Sequence, residues 1–150
     1  MPDILPAYRV VLDELRPVLH DLPGKLIGID GRNGVGKTTL GRFLAWQSNI
    51  SLIETDLFLH RHTGRLEYRV DEIGHLIQAR LEKPRPVIVD GITLFSILGQ
   101  MNQTADFVIY CRSTNDSEGN YLEPILENYE AQYAPIRNAN LVVDLDWTDS

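Results

Sequence analysis

Little in this chain supports covalent or metal stapling. Its 150 residues include one cysteine, Cys111, so no internal disulfide can form. Cys111 lies in an apolar run, where it reads as a buried small hydrophobe rather than a reactive thiol. His60 and His62 have no further Cys or His at ligand spacing, so they read as surface residues rather than metal ligands. Basic residues are outnumbered, 14 Lys and Arg against 21 Asp and Glu, for a net charge of −7. A nucleic acid is a poor main partner for such a surface. No run approaches the roughly 18 apolar residues of a membrane span, and no basic stretch followed by an apolar one opens the chain. Repeats and low-complexity tracts are missing too. These absences lead us to expect a soluble, cytoplasmic protein with no membrane or nucleic-acid partner, and they say nothing of oligomeric state. A chain of this length makes a single domain, 1–150, that buries roughly 70% of its unfolded surface.

What is present is phosphate chemistry. Gly31-Arg-Asn-Gly-Val-Gly-Lys-Thr-Thr39 fits G-x-x-x-x-G-K-[ST], with Gly31, Gly36, Lys37 and Thr38 at the fixed positions. At average composition about 0.5% of random chains this long carry the pattern, so it outweighs an ordinary Gly-rich turn. The glycines let the backbone curl so that consecutive N–H groups point at phosphate oxygens. The helix that follows directs its positive dipole end to the same place. Lys37 adds a mobile charge for the β- and γ-phosphates, and the Thr38 hydroxyl suits Mg²⁺. The expected nucleotide contacts are therefore Gly31, Arg32, Asn33, Gly34, Val35, Gly36, Lys37, Thr38 and Thr39.

Around this loop, strands alternate with helices. Leu5, Tyr8, Val11, Leu12, Leu15, Val18 and Leu19 repeat at helical spacing, giving an N-terminal helix within residues 1–22 that packs on the core, with Pro17 kinking or shortening its end. Strands are predicted at 25–30, 51–55, 87–90, 105–111 and 141–145. Helices are predicted from about Leu40, at 71–82 with Ile73, Leu76, Ile77 and Leu81 inward, at 93–98 and at 123–132, with 57–70 irregular. Short apolar strands alternating with helices imply an α/β fold, a parallel sheet covered on both faces, with ligands beyond the carboxyl ends of its strands. Asp30, Asp56 and Asp90 each fall at such an end.

Asp90 either partners Mg²⁺, the favoured reading, or caps the next turn. Gly91 follows it, where many motor-type ATPases carry a water-activating Glu. The chain also lacks N-K-x-D and T-K-x-D, by which GTP-binding switches read guanine. Both absences favour transfer to a bound acceptor over hydrolysis. Asp56 could take or orient the acceptor's hydroxyl proton, or serve as an N-cap.

Three segments, 29–40, 54–58 and 87–92, resemble the uridine kinase-like family of P-loop kinases. The resemblance implies a five-stranded parallel sheet in the order 2-3-1-4-5 with helices on both faces, and ATP and Mg²⁺ as cofactors. It implies Asp56 as the base with Phe58 as its following aromatic, and Asp90 as the second acidic position. The run Tyr129-Glu-Ala-Gln-Tyr133 before Pro135 is similar as well. The chain departs from the family in its lid, usually rich in arginines. Residues 111–134 carry only Arg112, alongside Asp116, Glu118, Glu123, Glu127 and Glu130, an acidic set that should repel a γ-phosphate. Arg112, with Lys37 and Asp56, is the candidate for catalysis, and Arg137 or a partner chain could add charge. The segment after Asp56 holds His60, Arg61, His62, Arg65, Tyr68 and Arg69. It reads either as a site for a polar or anionic acceptor (Asp56, Arg61, Arg65, Tyr68, Arg69) or as a solvated loop. The expected function is an ATP:Mg-dependent kinase acting on a small metabolite's hydroxyl, nucleoside-like for preference. The alternatives are a non-catalytic ATP-binding module and a slow NTPase.

Overall fold

A computed structural model describes residues 5–60, 66–114 and 121–146. Five parallel strands form one sheet: β1 (Leu26–Gly31), β2 (Ser51–Glu54), β3 (Val87–Asp90), β4 (Phe107–Arg112) and β5 (Leu141–Asp144). Their order is β2-β3-β1-β4-β5, as the resemblance implied. The central strands are buried on both faces, which is why they read as continuous apolar runs rather than alternating ones. Ile27, Ile29, Ile88, Ile109 and Cys111 point into one core layer. Leu26, Val87, Val89 and Val108 point into the other. Neighbours two apart in sequence therefore share a layer, as strand geometry requires.

The first layer is closed by α1 (Pro6–Val18) and α2 (Lys37–Ser48). Tyr8, Val11 and Leu15 of α1 are buried there with Leu40 and Leu44 of α2. Pro17 sits in the last turn of α1, which stops one residue later at Val18, close to where the proline was expected to shorten it. The second layer is closed by α3 (Val70–Glu82) and α4 (Leu94–Gln100). Ile73 and Ile77 of α3, one turn apart, are fully buried, but Leu76 is 46% exposed and does not join the core as its spacing suggested. The reason is geometric: the stripe through Ile73 and Ile77 faces the sheet, and Leu76 falls on its flank. Two further helices complete the chain, α5 (Glu123–Tyr133) and a short α6 (Pro135–Asn138) that the sequence pattern did not reveal.

Strand β2 is shorter than predicted. Its chain leaves the sheet at Thr55 and enters a 3₁₀ turn, Thr55–Phe58, and an antiparallel bridge then joins Leu59 to Tyr68. Cys111 is 1% exposed and its thiol is pushed up to about 12 by burial, so it is the inert hydrophobe expected. Among the described residues no helix is long and apolar enough to cross a membrane.

Candidate active site

The loop between β1 and α2 owes its shape to three glycines at positive φ: Gly31 at 149°, Gly34 at 80° and Gly36 at 104°. Only glycine takes these conformations without strain. At Gly31 the reason is also steric, since a Cβ there would lie 2.5 Å from the Cys111 carbonyl oxygen on β4. Gly36 is the N-cap of α2, so the helix begins at Lys37 and the N–H groups of its first turn lack intrahelical acceptors. Those donors, and the dipole behind them, make an anion site.

The loop opens on a cleft of about 580 Å³ at the carboxyl ends of the strands. Asn33, Gly34, Gly36, Lys37, Thr38 and Thr39 line one end of it. Asp56 and Asp90 line it too, and the register Glu54↔Asp90 puts the tips of β2 and β3 side by side. Asp56 is exposed on the 3₁₀ turn, whereas Asp90 is 2% exposed. The Asp90 carboxyl is raised from its ordinary value to about 7, first by burial and then by the charges of Asp56 and Glu54. Lys37 and a hydrogen bond with Thr38 oppose that shift. Its Oδ2 is buried without a hydrogen-bond partner, an arrangement that costs free energy unless something binds there. Lys37 is 8% exposed and its Nζ donates to the Arg32 carbonyl oxygen at 2.7 Å. Burial lowers its pKa, and the charges of Cys111, Asp30, Asp90 and Asp56 push it back up.

A carboxylate with an orphaned oxygen beside a threonine hydroxyl fits a hard cation such as Mg²⁺. Among the described residues no group of three or more His, Cys, Asp or Glu side chains could hold a metal. A cation held by Thr38 and Asp90 would therefore complete its shell with phosphate oxygens and water.

Several expected site residues lie elsewhere. Arg112 does not line the cleft: it pairs with Asp144 on the neighbouring strand at 3.0 Å, with both side chains at least half exposed. Arg69 does not line it either. Its guanidinium donates to the Leu57 carbonyl oxygen at 2.8 Å, pairs with Glu72 at 3.2 Å and stacks over Phe58 at 5.4 Å. It staples the turn that carries Asp56. Val35 points into the core, and Arg32 turns away from the cleft toward α5. Arg61, His62 and Arg65 lie outside the described residues, as do Asp116 and Glu118.

Arg32 also alters the reading of the acidic lid. It contacts Glu123 at 2.8 Å through two hydrogen bonds and Glu130 at 2.5 Å, all three side chains being largely buried. Glu130, then Glu123, hold the guanidinium's pKa above its ordinary value. Two of the acids expected to repel phosphate are thus neutralised within the protein. Asp30, the third strand-end aspartate, has a structural task as well. Fully buried, it accepts from the Gly31 N–H at 2.9 Å, the Leu94 N–H at 3.3 Å and the Tyr129 hydroxyl at 2.6 Å. Burial raises its pKa against these hydrogen bonds.

The sequence reading missed the apolar wall of the cleft: Leu59, Leu66, Ile92 and Leu122, with Tyr121 at the rim. No local pattern marks these residues, because they converge only in the fold. Tyr68, expected to offer an aromatic face, does line the cleft but is itself 8% exposed, and its hydroxyl is buried without a partner.

No family model and no curated protein matches the chain. Solved structures do match it. A possible uridine kinase from Bacillus stearothermophilus superposes with a TM-score of 0.65 at 20% identity, over 91% of this chain and 98% of that one. A sugar kinase from Janibacter sp. HTCC2649 superposes with a TM-score of 0.51 at 16% identity, over 82% of this chain and 86% of that one. With its motif, strand order and cleft, the chain has the P-loop NTPase fold in the form these kinases share, and it resembles the uridine kinase-like members in architecture.

Proposed function

We propose that this chain is an ATP- and Mg²⁺-dependent phosphotransferase that phosphorylates a hydroxyl of a small metabolite, a nucleoside-like acceptor being favoured. The observation that carries this reading is the convergence of Lys37, Thr38, Asp56 and Asp90 on one cleft at the carboxyl ends of the strands. The amides of the 31–39 loop and the Lys37 ammonium would hold the β- and γ-phosphates. Thr38 and Asp90 would hold Mg²⁺, which when bound neutralises charge on those phosphates.

The remaining chemistry belongs to the chain. Asp56 orients the acceptor hydroxyl and takes its proton as the acceptor oxygen bonds to the γ-phosphorus. The bond from that phosphorus to the β–γ bridging oxygen breaks, and ADP leaves with the electron pair. Lys37 follows the charge that moves onto the leaving phosphate. Arg112 is left out of this step, since it does not line the cleft and pairs with Asp144 instead.

Asp56→Asn tests the assignment. Affinity for a non-hydrolysable ATP analogue should stay nearly constant while turnover falls about 10²–10⁴-fold. Unchanged turnover would remove Asp56 from the mechanism. A second reading, a non-catalytic ATP-binding module or slow NTPase, draws support from one feature: Lys37 is the only cationic side chain lining the cleft among the described residues. A kinase forms ADP only when an acceptor is present, an NTPase forms it without one, and a binding module never forms it.

A further inference from the structure

We propose that the acceptor extends from the phosphate cleft into a second cavity, between α4 and α5, that takes an uncharged molecule bearing hydroxyl or amide groups and discriminates against anionic ones. The inference rests on the phosphotransferase reading and gives the substrate class of its site. The second cavity measures about 190 Å³ and shares two wall residues, Leu66 and Tyr68, with the phosphate cleft. At about 30 Å³ per water it has the volume of about six waters, which suits a small ring and its substituents.

Its chemistry differs from that of the cleft it adjoins. The phosphate cleft is lined by Lys37, Asp56 and Asp90. The second cavity is lined by the neutral hydrogen-bonding side chains Thr93, Ser96, Gln100, Asn128 and Gln132, and by no charged side chain among the described residues. Ile97 and Ile125 supply its apolar surface. Amides and hydroxyls each offer both donors and acceptors, so they match a solute with both and offer no countercharge to an anion. Of the arginines expected to supply that countercharge, Arg69 is engaged by Leu57, Glu72 and Phe58, and Arg61 and Arg65 lie outside the described residues. Tyr68 adds the second observation. It stands in the wall common to both cavities, and its buried hydroxyl has no partner. A buried hydroxyl in that state is destabilising until a ligand group satisfies it. By contrast the Tyr129 hydroxyl, on the same cavity's wall, is already engaged by Asp30 and by the Phe95 N–H.

The test uses two matched probe pairs, glucose against gluconate and uridine against uridine 5′-monophosphate, with the full chain, Mg²⁺ and a non-hydrolysable ATP analogue. Thermal shift reads binding, and ADP formation with ATP reads transfer. The expected result is that the neutral member of at least one pair binds and is phosphorylated, while its anionic counterpart binds at least about tenfold more weakly. Tyr68→Phe should raise the KM for that neutral probe about tenfold, and Gln132→Glu or Asn128→Asp should move the preference between the pair's members the same way as each other. An anionic member bound as tightly as its neutral counterpart, or no neutral member bound, overturns the inference. The analogue's own thermal shift, measured before any acceptor is added, is a separate check. If it is absent, the phosphotransferase reading falls and the inference with it.

Discussion

At one end of the cleft, consecutive residues from Gly31 to Thr39 supply the backbone donors, the lysine and the threonine. In the adjoining cavity, Tyr68, Ser96 and Gln132 arrive from three separate parts of the chain. The first arrangement depends on backbone conformation, which three glycines at positive φ impose locally. The second depends on side chains that only the packing of α4 and α5 brings together. One is therefore a property of the loop, and the other a property of the whole fold.

The comparison can be broken most sharply at Gly31. In Gly31→Ala the new Cβ meets a backbone oxygen, which cannot swing aside as a side chain can, and φ stays unfavourable. We expect a loss of about 3 kcal/mol in urea unfolding, with nucleotide affinity falling as well. A loss below 1 kcal/mol would show that the loop is not held in this conformation.

The next effect concerns Asp90 in the metal-free protein. Its carboxyl binds a proton more tightly folded than unfolded, about 7 against an ordinary 3.8. The folded state then carries the extra proton between these values, so Asp90's contribution falls as pH rises from about 4 to 7 and is flat above. Across pH 4.5 to 8 the change amounts to about 3 kcal/mol. Asp30, also raised by burial, acts with the same sign. Thermal melts from pH 4.5 to 8 should show Asp90→Asn with a shallower decline than the native chain. Parallel declines would refute the assignment.

The smallest effects separate two arginines. Arg32→Ala leaves Glu123 and Glu130 facing each other without a cation and should cost about 2 kcal/mol. Arg112→Ala removes an exposed pair and should cost under about 0.5 kcal/mol, with turnover held within about twofold. If Arg112→Ala proves the more damaging, in stability or turnover, the division drawn between these arginines is wrong.

Legibility followed the range of the interactions. The phosphate loop and strand β3 were readable because a local motif and a short apolar run determine them, whereas the sheet order followed only from the resemblance to a known family. Asp56 was readable as a strand-end acid, though not as part of a 3₁₀ turn. The roles of Arg32, Arg69 and Arg112 were not readable, since each is decided by which carboxylate or ring lies nearby in the fold. Arg32 and Glu130 are 98 positions apart, and Asp30 and Tyr129 are 99 apart. Nor does any pattern mark Leu66 or Ile92 as cleft residues, or Asn128 as part of a neutral cavity.

Asp30 is a junction more than an anchor. Through one carboxylate the central strand is fastened to the start of α4 and the middle of α5, and the Tyr129 hydroxyl relays that hold to the Phe95 amide. The three elements thus share a single buried vertex. Loosening any one of them leaves polar atoms of the others stranded away from water, so this corner of the molecule has little room to come apart in stages.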